Sequence, residues 1–153
     1  MIQGFSHVGI GVSDLDRSIH FYSEVFGFSE LYRLDFNDNE VAATMEQEGA
    51  FRSAMLLRGD VRIELLQWVG VPTSGGGKKP MTELGFTHLS FRVDGIDDLT
   101  DAVVAAGGAV HPQTLSYVGP EGTTQTGLLY YTDPDGTRIE VMTNVPQLSE
   151  LRQ

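Results

Sequence analysis

Four residues of this chain have the side-chain types and placement that metal chemistry needs: His7, Glu64, His88 and Glu140. They fall at matching places in two halves. The first half opens Phe5-Ser6-His7-Val8-Gly9-Ile10-Gly11-Val12 and the second Phe86-Thr87-His88-Leu89-Ser90-Phe91-Arg92-Val93. The halves also close alike, with Arg62-Ile63-Glu64-Leu65-Leu66 and Arg138-Ile139-Glu140-Val141-Met142. Two imidazoles and two carboxylates repeated in this way suggest a four-ligand site with pseudo-two-fold symmetry. The chain has no cysteine, which removes thiolate ligands, disulfides and cysteine nucleophiles together. The donor set suits one divalent ion such as Zn, Ni, Co, Fe or Mn, with one or two positions left for water or substrate. Such an ion polarises a carbonyl oxygen, and a carboxylate beside it can move a proton to or from the adjacent carbon.

The elements that must position these groups follow from periodicity. Residues 5–12 alternate as a strand, and Ser13-Asp14-Leu15-Asp16 reads as a helix start with Ser13 accepting from a free backbone N–H. Leu15, Ile19, Tyr22 and Phe26 then form a helical stripe, and Gly27 is placed to end it. Strands are expected over 28–35, 50–57 and 61–68, with Gly59-Asp60 as the turn between the last two. The second half repeats the order: strand 86–93, helix 96–106 stopped by Gly107-Gly108, and strands 109–113, 127–132 and 138–143. Asp133-Pro134-Asp135-Gly136 is a specific turn signal, and 119–127 reads as an irregular piece able to act as a lid.

The expected architecture is α+β, built from two βαβββ modules. Module one covers 1–69, a flexible linker with Pro72, Gly75-Gly76-Gly77 and Pro80 covers 70–85, module two covers 86–143, and a tail covers 144–153. At 153 residues the whole is expected to be one domain, because half that length is too short to bury a good core alone.

Strand parity gives an independent test of the quartet. Val8 and Ile10, Ile63 and Leu65, Leu89 and Phe91, and Ile139 and Val141 fall between the candidate ligands and supply faces for burying the helices. The opposite faces mix His, Glu and Arg with Gly and Ser, the composition of a water-filled or polar-lined cavity. A single strand histidine is usually structural, and a single strand glutamate near Arg62 or Arg138 is usually half of an ion pair. Four such residues at equivalent positions on one face make metal binding the better reading.

Other groups share that parity. Arg92 and Arg138 are positioned to hold a substrate carboxylate, with ion pairing as the alternative. One of Tyr130 and Tyr131 must face inward to hydrogen-bond substrate while the other packs, and Tyr131 is the expected substrate residue. Trp68 is a candidate hydrophobic wall, with core burial as its plain role. Asp97-Asp98-Leu99 reads as a helix N-terminal cluster.

Composition narrows the function classes. Hydrophobic residues at 41% and charged residues at 20% describe a globular chain rather than a disordered one. A net charge of −11, with no basic cluster beyond Lys78-Lys79, would repel phosphate backbones, so no nucleic-acid partner is expected. No apolar run reaches the roughly 18 residues of a membrane span, and the start lacks a signal-peptide pattern, so a cytoplasmic protein acting on a small molecule is expected.

The segments His7-Val8-Gly9-Ile10, Asp14-Leu15-Asp16-Arg17-Ser18, Phe26-Gly27-Phe28, Ile63-Glu64-Leu65, His88-Leu89-Ser90-Phe91 and Asp133 to Glu140 resemble the vicinal oxygen chelate superfamily, which includes glyoxalase I, bleomycin resistance proteins and extradiol dioxygenases. The resemblance implies paired βαβββ modules whose curved mixed sheet surrounds a metal cavity, often completed across a homodimer. The His-Glu-His-Glu set is similar to that of bacterial glyoxalase I. It implies a lyase or isomerase that transfers a proton next to a metal-bound substrate oxygen, with Glu140 as the favoured base and Glu64 its counterpart. The arginine that glyoxalase I carries four residues after its first ligand, for the glutathione conjugate, is Gly11 here. An extradiol dioxygenase would use His7, His88 and Glu140 and leave Glu64 without a role, and neither His20 nor His111 is at an obvious place for its acid-base residue. A coenzyme A thioester epimerase would need a glutamate near the place of Glu48, which otherwise reads as a solvated loop acid. A metal-free drug-binding protein is the non-catalytic alternative.

Overall fold

The structure is a computed structural model that describes residues 1–37 and 39–146. The first half contains β1 (Val8–Gly11), α1 (Leu15–Phe26), β2 (Ser29–Phe36), α2 (Asn39–Ala43), β3 (Ala50–Arg58) and β4 (Val61–Val69). The second contains β5 (Leu89–Arg92), α3 (Thr100–Ala105), β6 (Ala109–Val118), β7 (Thr126–Thr132) and β8 (Arg138–Met142). Each half folds its strands into a four-stranded mixed sheet, in the orders β1-β4-β3-β2 and β5-β8-β7-β6. In each sheet the first strand is parallel to the last, and the remaining pairs are antiparallel. This is the α+β, twice-repeated βαβββ order read from the sequence. The chain divides into two compact units between Gly75 and Gly76, inside the expected linker. Among the described residues no helix is long and apolar enough to cross a membrane.

In the first unit one sheet face buries Ile10, Ala54, Leu56, Ile63 and Leu65, and α1 contributes Leu15, Ser18, Phe21, Tyr22, Val25 and Phe26 to the core. The buried stripe is rotated from the expected one, since Ile19 is only half-buried while Phe21 and Val25 are enclosed. Phe21 and Tyr22 meet edge to face at 5.3 Å, an arrangement that aligns ring edge and ring face electrostatically. Asp14, rather than Ser13, caps α1: its carboxylate accepts from Arg17 N at 3.0 Å, while Ser13 Oγ accepts from the Arg17 guanidinium at 2.8 Å. Gly27 ends the helix in the left-handed conformation, φ 65°, as expected.

Several elements differ from the sequence reading, and β1 and β5 are each only four residues long, starting at Val8 and Leu89 directly after the two histidines. The short α2 was not expected, since five residues carry too little periodicity to show. Helix α3 starts at Thr100 rather than 96, because turns closed by Asp98 N–Gly95 O and Thr100 N–Asp97 O come first and no side chain caps Leu99. Strand β6 runs on to Val118, beyond an irregularity between His111 and Ser116. Pro112 has no N–H to give the ladder, and Thr114 Oγ1 accepts from Tyr130 N at 3.0 Å across the break. β6 is an edge strand, where a proline is tolerated. The expected lid, 119–127, loses its last two residues to β7, which starts at Thr126, and directly follows β6, which ends at Val118. The tail beyond residue 146 lies outside the described residues.

The linker is anchored where it enters the second unit. Asp133 Oδ1 accepts from the backbone N–H of Asp135 and of Thr137, closing the turn read from the sequence, and Gly136 sits at φ 90°. Gly77 N donates to Asp135 O at 2.8 Å, and a Cβ on Gly136 would lie 2.5 Å from the Gly77 backbone. Gly136→Ala therefore combines backbone strain with a backbone clash. It is expected to destabilise the second unit by about 1–3 kcal/mol, read as an earlier urea midpoint.

Candidate metal centre

In the first unit the parallel ladder sets Gly9 opposite Glu64, so His7, two residues before Gly9, shares the Glu64 face. His7 Nε2 lies 3.2 Å from Glu64 Oε2. Ser6 Oγ lies 3.0 Å from His7 Nδ1. On the antiparallel side Glu64 faces Met55, and Ser53, two residues away on the same face and buried, donates its hydroxyl to Glu64 Oε1 at 2.6 Å.

The second unit repeats this geometry. Ser90 is opposite Glu140, and His88 Nε2 lies 3.5 Å from Glu140 Oε2. Thr87 Oγ1 lies 3.0 Å from His88 Nδ1. Glu140, itself buried, accepts from Ser90 Oγ at 2.8 Å and from Tyr130 Oη at 2.6 Å. The Tyr130 ring also meets His88 edge to face at 5.6 Å. Burial first, and then the bond to Glu140, push the Tyr130 phenol up to about 12, so it remains a proton donor to the carboxylate at neutral pH.

The two His–Glu separations are comparable with the spacing of two ligands on one divalent ion. Two ligand atoms each about 2.1 Å from one ion stand roughly 3.0–3.4 Å apart; the His7–Glu64 separation of 3.2 Å falls in that range, and the His88–Glu140 separation of 3.5 Å is just beyond it. With its proton on Nδ1, each imidazole donates to the preceding hydroxyl and leaves the Nε2 lone pair facing the carboxylate. A hydroxyl both donates and accepts, so these contacts orient each ring and are compatible with either tautomer. The structure thus brings His7 to Glu64 and His88 to Glu140. Among the described residues no group of three or more His, Asp and Glu side chains gathers as one site.

The other expected residues divide. Tyr131 is fully buried on the opposite face, with its hydroxyl bonded to Ile96 O and beside Thr100 Oγ1, so the substrate role expected for it is corrected: β7 alternates, and Tyr130 is the tyrosine on the Glu140 face. Trp68 is half-buried on the Glu64 face, packed on Phe51 at 5.2 Å, and Phe51 stacks on Phe36 at 4.6 Å. Arg92 Nη1 makes a long bond, 3.4 Å, to Pro146 O. Arg138 is 7% exposed and is bonded to Lys79 O and Met81 Sδ. Glu48 is exposed in the loop before β3. A side chain at Gly11 would meet nothing within 4 Å. Ser53 and the two hydroxyls that precede the histidines were missed. The Ser6-His7 and Thr87-His88 repeat was a usable signal, whereas Ser53 needed the β3–β4 register.

Comparison with known proteins points one way. The family model described as the Glyoxalase/Bleomycin resistance protein/Dioxygenase superfamily matches residues 4–141. The chain is 32% identical over 140 residues to a probable lactoylglutathione lyase of Vibrio parahaemolyticus, covering 90% of this chain and 88% of that one. It is 29% identical over 97 residues to the fosfomycin resistance protein FosX of Mesorhizobium japonicum, covering 63% and 56%. Among solved structures, a glyoxalase family protein from Bacillus cereus superposes with a TM-score of 0.78 at 22% identity, covering 95% of this chain and 97% of that one.

Replacing Tyr130 by Phe removes one donor from Glu140. The expected result is a loss of about 1.5–3 kcal/mol in stability, the range for a hydrogen bond to a charged group. The ultraviolet ionisation curve of the tyrosines should also lose its component near pH 12.

Proposed function

The chain belongs to the glyoxalase/bleomycin resistance protein/dioxygenase superfamily, and on that premise we propose that it is a metal-dependent glyoxalase-like lyase or isomerase that transfers a proton at the carbon beside a substrate oxygen. The observation that carries this reading is the repeated pair, His7–Glu64 at 3.2 Å and His88–Glu140 at 3.5 Å, each with its histidine held from behind by a hydroxyl.

His7, Glu64, His88 and Glu140 are the proposed ligands of one divalent ion of the Zn, Ni, Co, Fe or Mn class. When bound, that ion polarises a substrate carbonyl and acidifies the neighbouring C–H. The remaining work falls to the chain's own groups. Glu64 and Glu140 are the carboxylates that take and return the proton. Ser53 steadies Glu64 from one side, and Ser90 and Tyr130 hold both oxygens of Glu140. Preset donors of this kind avoid reorganisation while charge moves. Trp68, Phe51 and Phe36 form an apolar wall for the non-reacting part of a substrate, and Arg92 and Arg138 are its polar anchors. The working form is proposed to be a cytoplasmic homodimer.

The names of the relatives make lactoylglutathione chemistry the first to test. Gly11, open and without the guanidinium that glutathione recognition would use, favours a substrate whose affinity does not come from glutathione. Glu64, paired with His7, favours the four-ligand lyase over a three-ligand dioxygenase.

The test is to strip the protein of metal, reload it with each candidate ion, and measure bound metal and formation of lactoylglutathione from methylglyoxal and glutathione. About one equivalent of metal per chain is expected. The Glu64→Ala, Glu140→Ala double variant should lose the metal, and any turnover should fall by at least about 100-fold. Less than about half an equivalent after reloading, or undiminished binding in the double variant, would contradict the assignment. Oxygen consumption with catechols under ferrous iron would shift the reading to a dioxygenase.

A further inference from the structure

The ligand face of the second unit carries a cluster of positive and polar groups that the metal chemistry does not use. The ladder lines up Ser90, Glu140, Tyr130 and His111 across β5, β8, β7 and β6. Partners in adjacent strands share a face, so His111 stands at the far end of the Glu140 row, roughly 10 Å away across two strand spacings. In the first unit the equivalent row reads Gly9, Glu64, Met55 and Tyr32. The repeat therefore does not account for a histidine here.

Two features mark this end of the row as incomplete. His111 Nε2 is sealed from water and finds no hydrogen-bond partner among the described residues. A buried ring nitrogen without a partner is rare in native proteins and calls for a physical cause. Arg138 is 7% exposed and forms no ion pair among the described residues, although the chain has 21 acidic residues against 10 basic ones. A buried guanidinium is normally matched by a carboxylate, because desolvating it alone is costly. In place of an acid it holds a neutral oxygen, Lys79 O, at 2.6 Å from Nη2. Lys78 adds a second cation: burial, then Lys78, then Arg138 lower the proton affinity of His111.

We propose that Arg138, His111 and Lys78 form a subsite for a carboxylate group, one that residues 77–81 cover and that Lys79 O fills when no ligand is bound. Arg138 has N–H groups beyond the two engaged by Lys79 O and Met81 Sδ, and its planar fork matches a carboxylate. His111 supplies one further polar contact, and the charge of Lys78 and Arg138 balances the ligand. A carboxylate is preferred to a phosphate, because Glu140 in the same row repels a dianion more strongly. The subsite deepens the proposed function by giving the substrate an acidic end, while its charge argument does not need the metal.

The test is an NMR titration of the histidine ring signals in metal-stripped protein with acetate, and separately with inorganic phosphate. Saturable movement of the His111 signals by acetate, with phosphate weaker, is the expected result, together with a rise in the pH at which His111 titrates. His111→Leu should weaken acetate about tenfold, and His111→Gln, which keeps a polar contact, should recover part of that loss. Unmoved His111 signals in the wild-type protein, equal acetate affinity in a folded His111→Leu variant, or tighter binding of phosphate would each overturn the proposal. Because the protein carries no metal, failure here leaves the metal assignment standing. Loss of metal binding with acetate binding intact would do the reverse.

Discussion

The parallel pairing of the first and last strand of each unit is the constraint from which the site follows. It sets Gly9 opposite Glu64 and Ser90 opposite Glu140. Side chains alternate along a strand, so one register decision places a histidine and a glutamate on the same face and the apolar residues on the other. A one-residue slip of β1 against β4 would turn His7 toward the helix and Val8 toward water. Burial of Ile10, beside Leu65 on the core face, is what makes that slip costly. The core thus holds the chemistry in place without touching it.

The two units keep the same His–Glu geometry and differ around it. Among the described residues Glu64 has a single hydroxyl donor, and the aromatic group Phe36, Phe51 and Trp68 lies farther along the same sheet face. Glu140 is buried, has two hydroxyl donors, and belongs to a polar row. A duplicated unit that keeps its His–Glu pair and diverges beside it carries an apolar surface in one copy and a hydrogen-bonding surface in the other.

Much of this was legible in the sequence because period-two alternation and a repeat are local patterns. The strand faces of β1, β4, β5 and β8 needed no knowledge of which strands pair. What was not legible depended on non-local register or on side-chain direction. Ser53 could be joined to Glu64 only once Met55 was known to be its partner. Tyr130 and Tyr131 are adjacent, and only the partnering of Tyr130 with Glu140 tells them apart. His111 gained its place through a strand broken at Pro112, where periodicity fails. The linker glycines suggested mobility, yet Gly77 and Lys79 are bonded to the second unit, because those hydrogen bonds come from backbone groups that carry no sequence signal.

The central claim is that two imidazoles and two carboxylates, one pair from each unit, serve a single ion. X-ray absorption spectroscopy of the zinc-loaded protein tests it directly, since imidazole rings give a distinctive outer-shell scattering pattern. The account predicts two imidazoles per zinc with the remaining ligands oxygen, at about 2.0–2.2 Å. One imidazole per ion, or none, would contradict it.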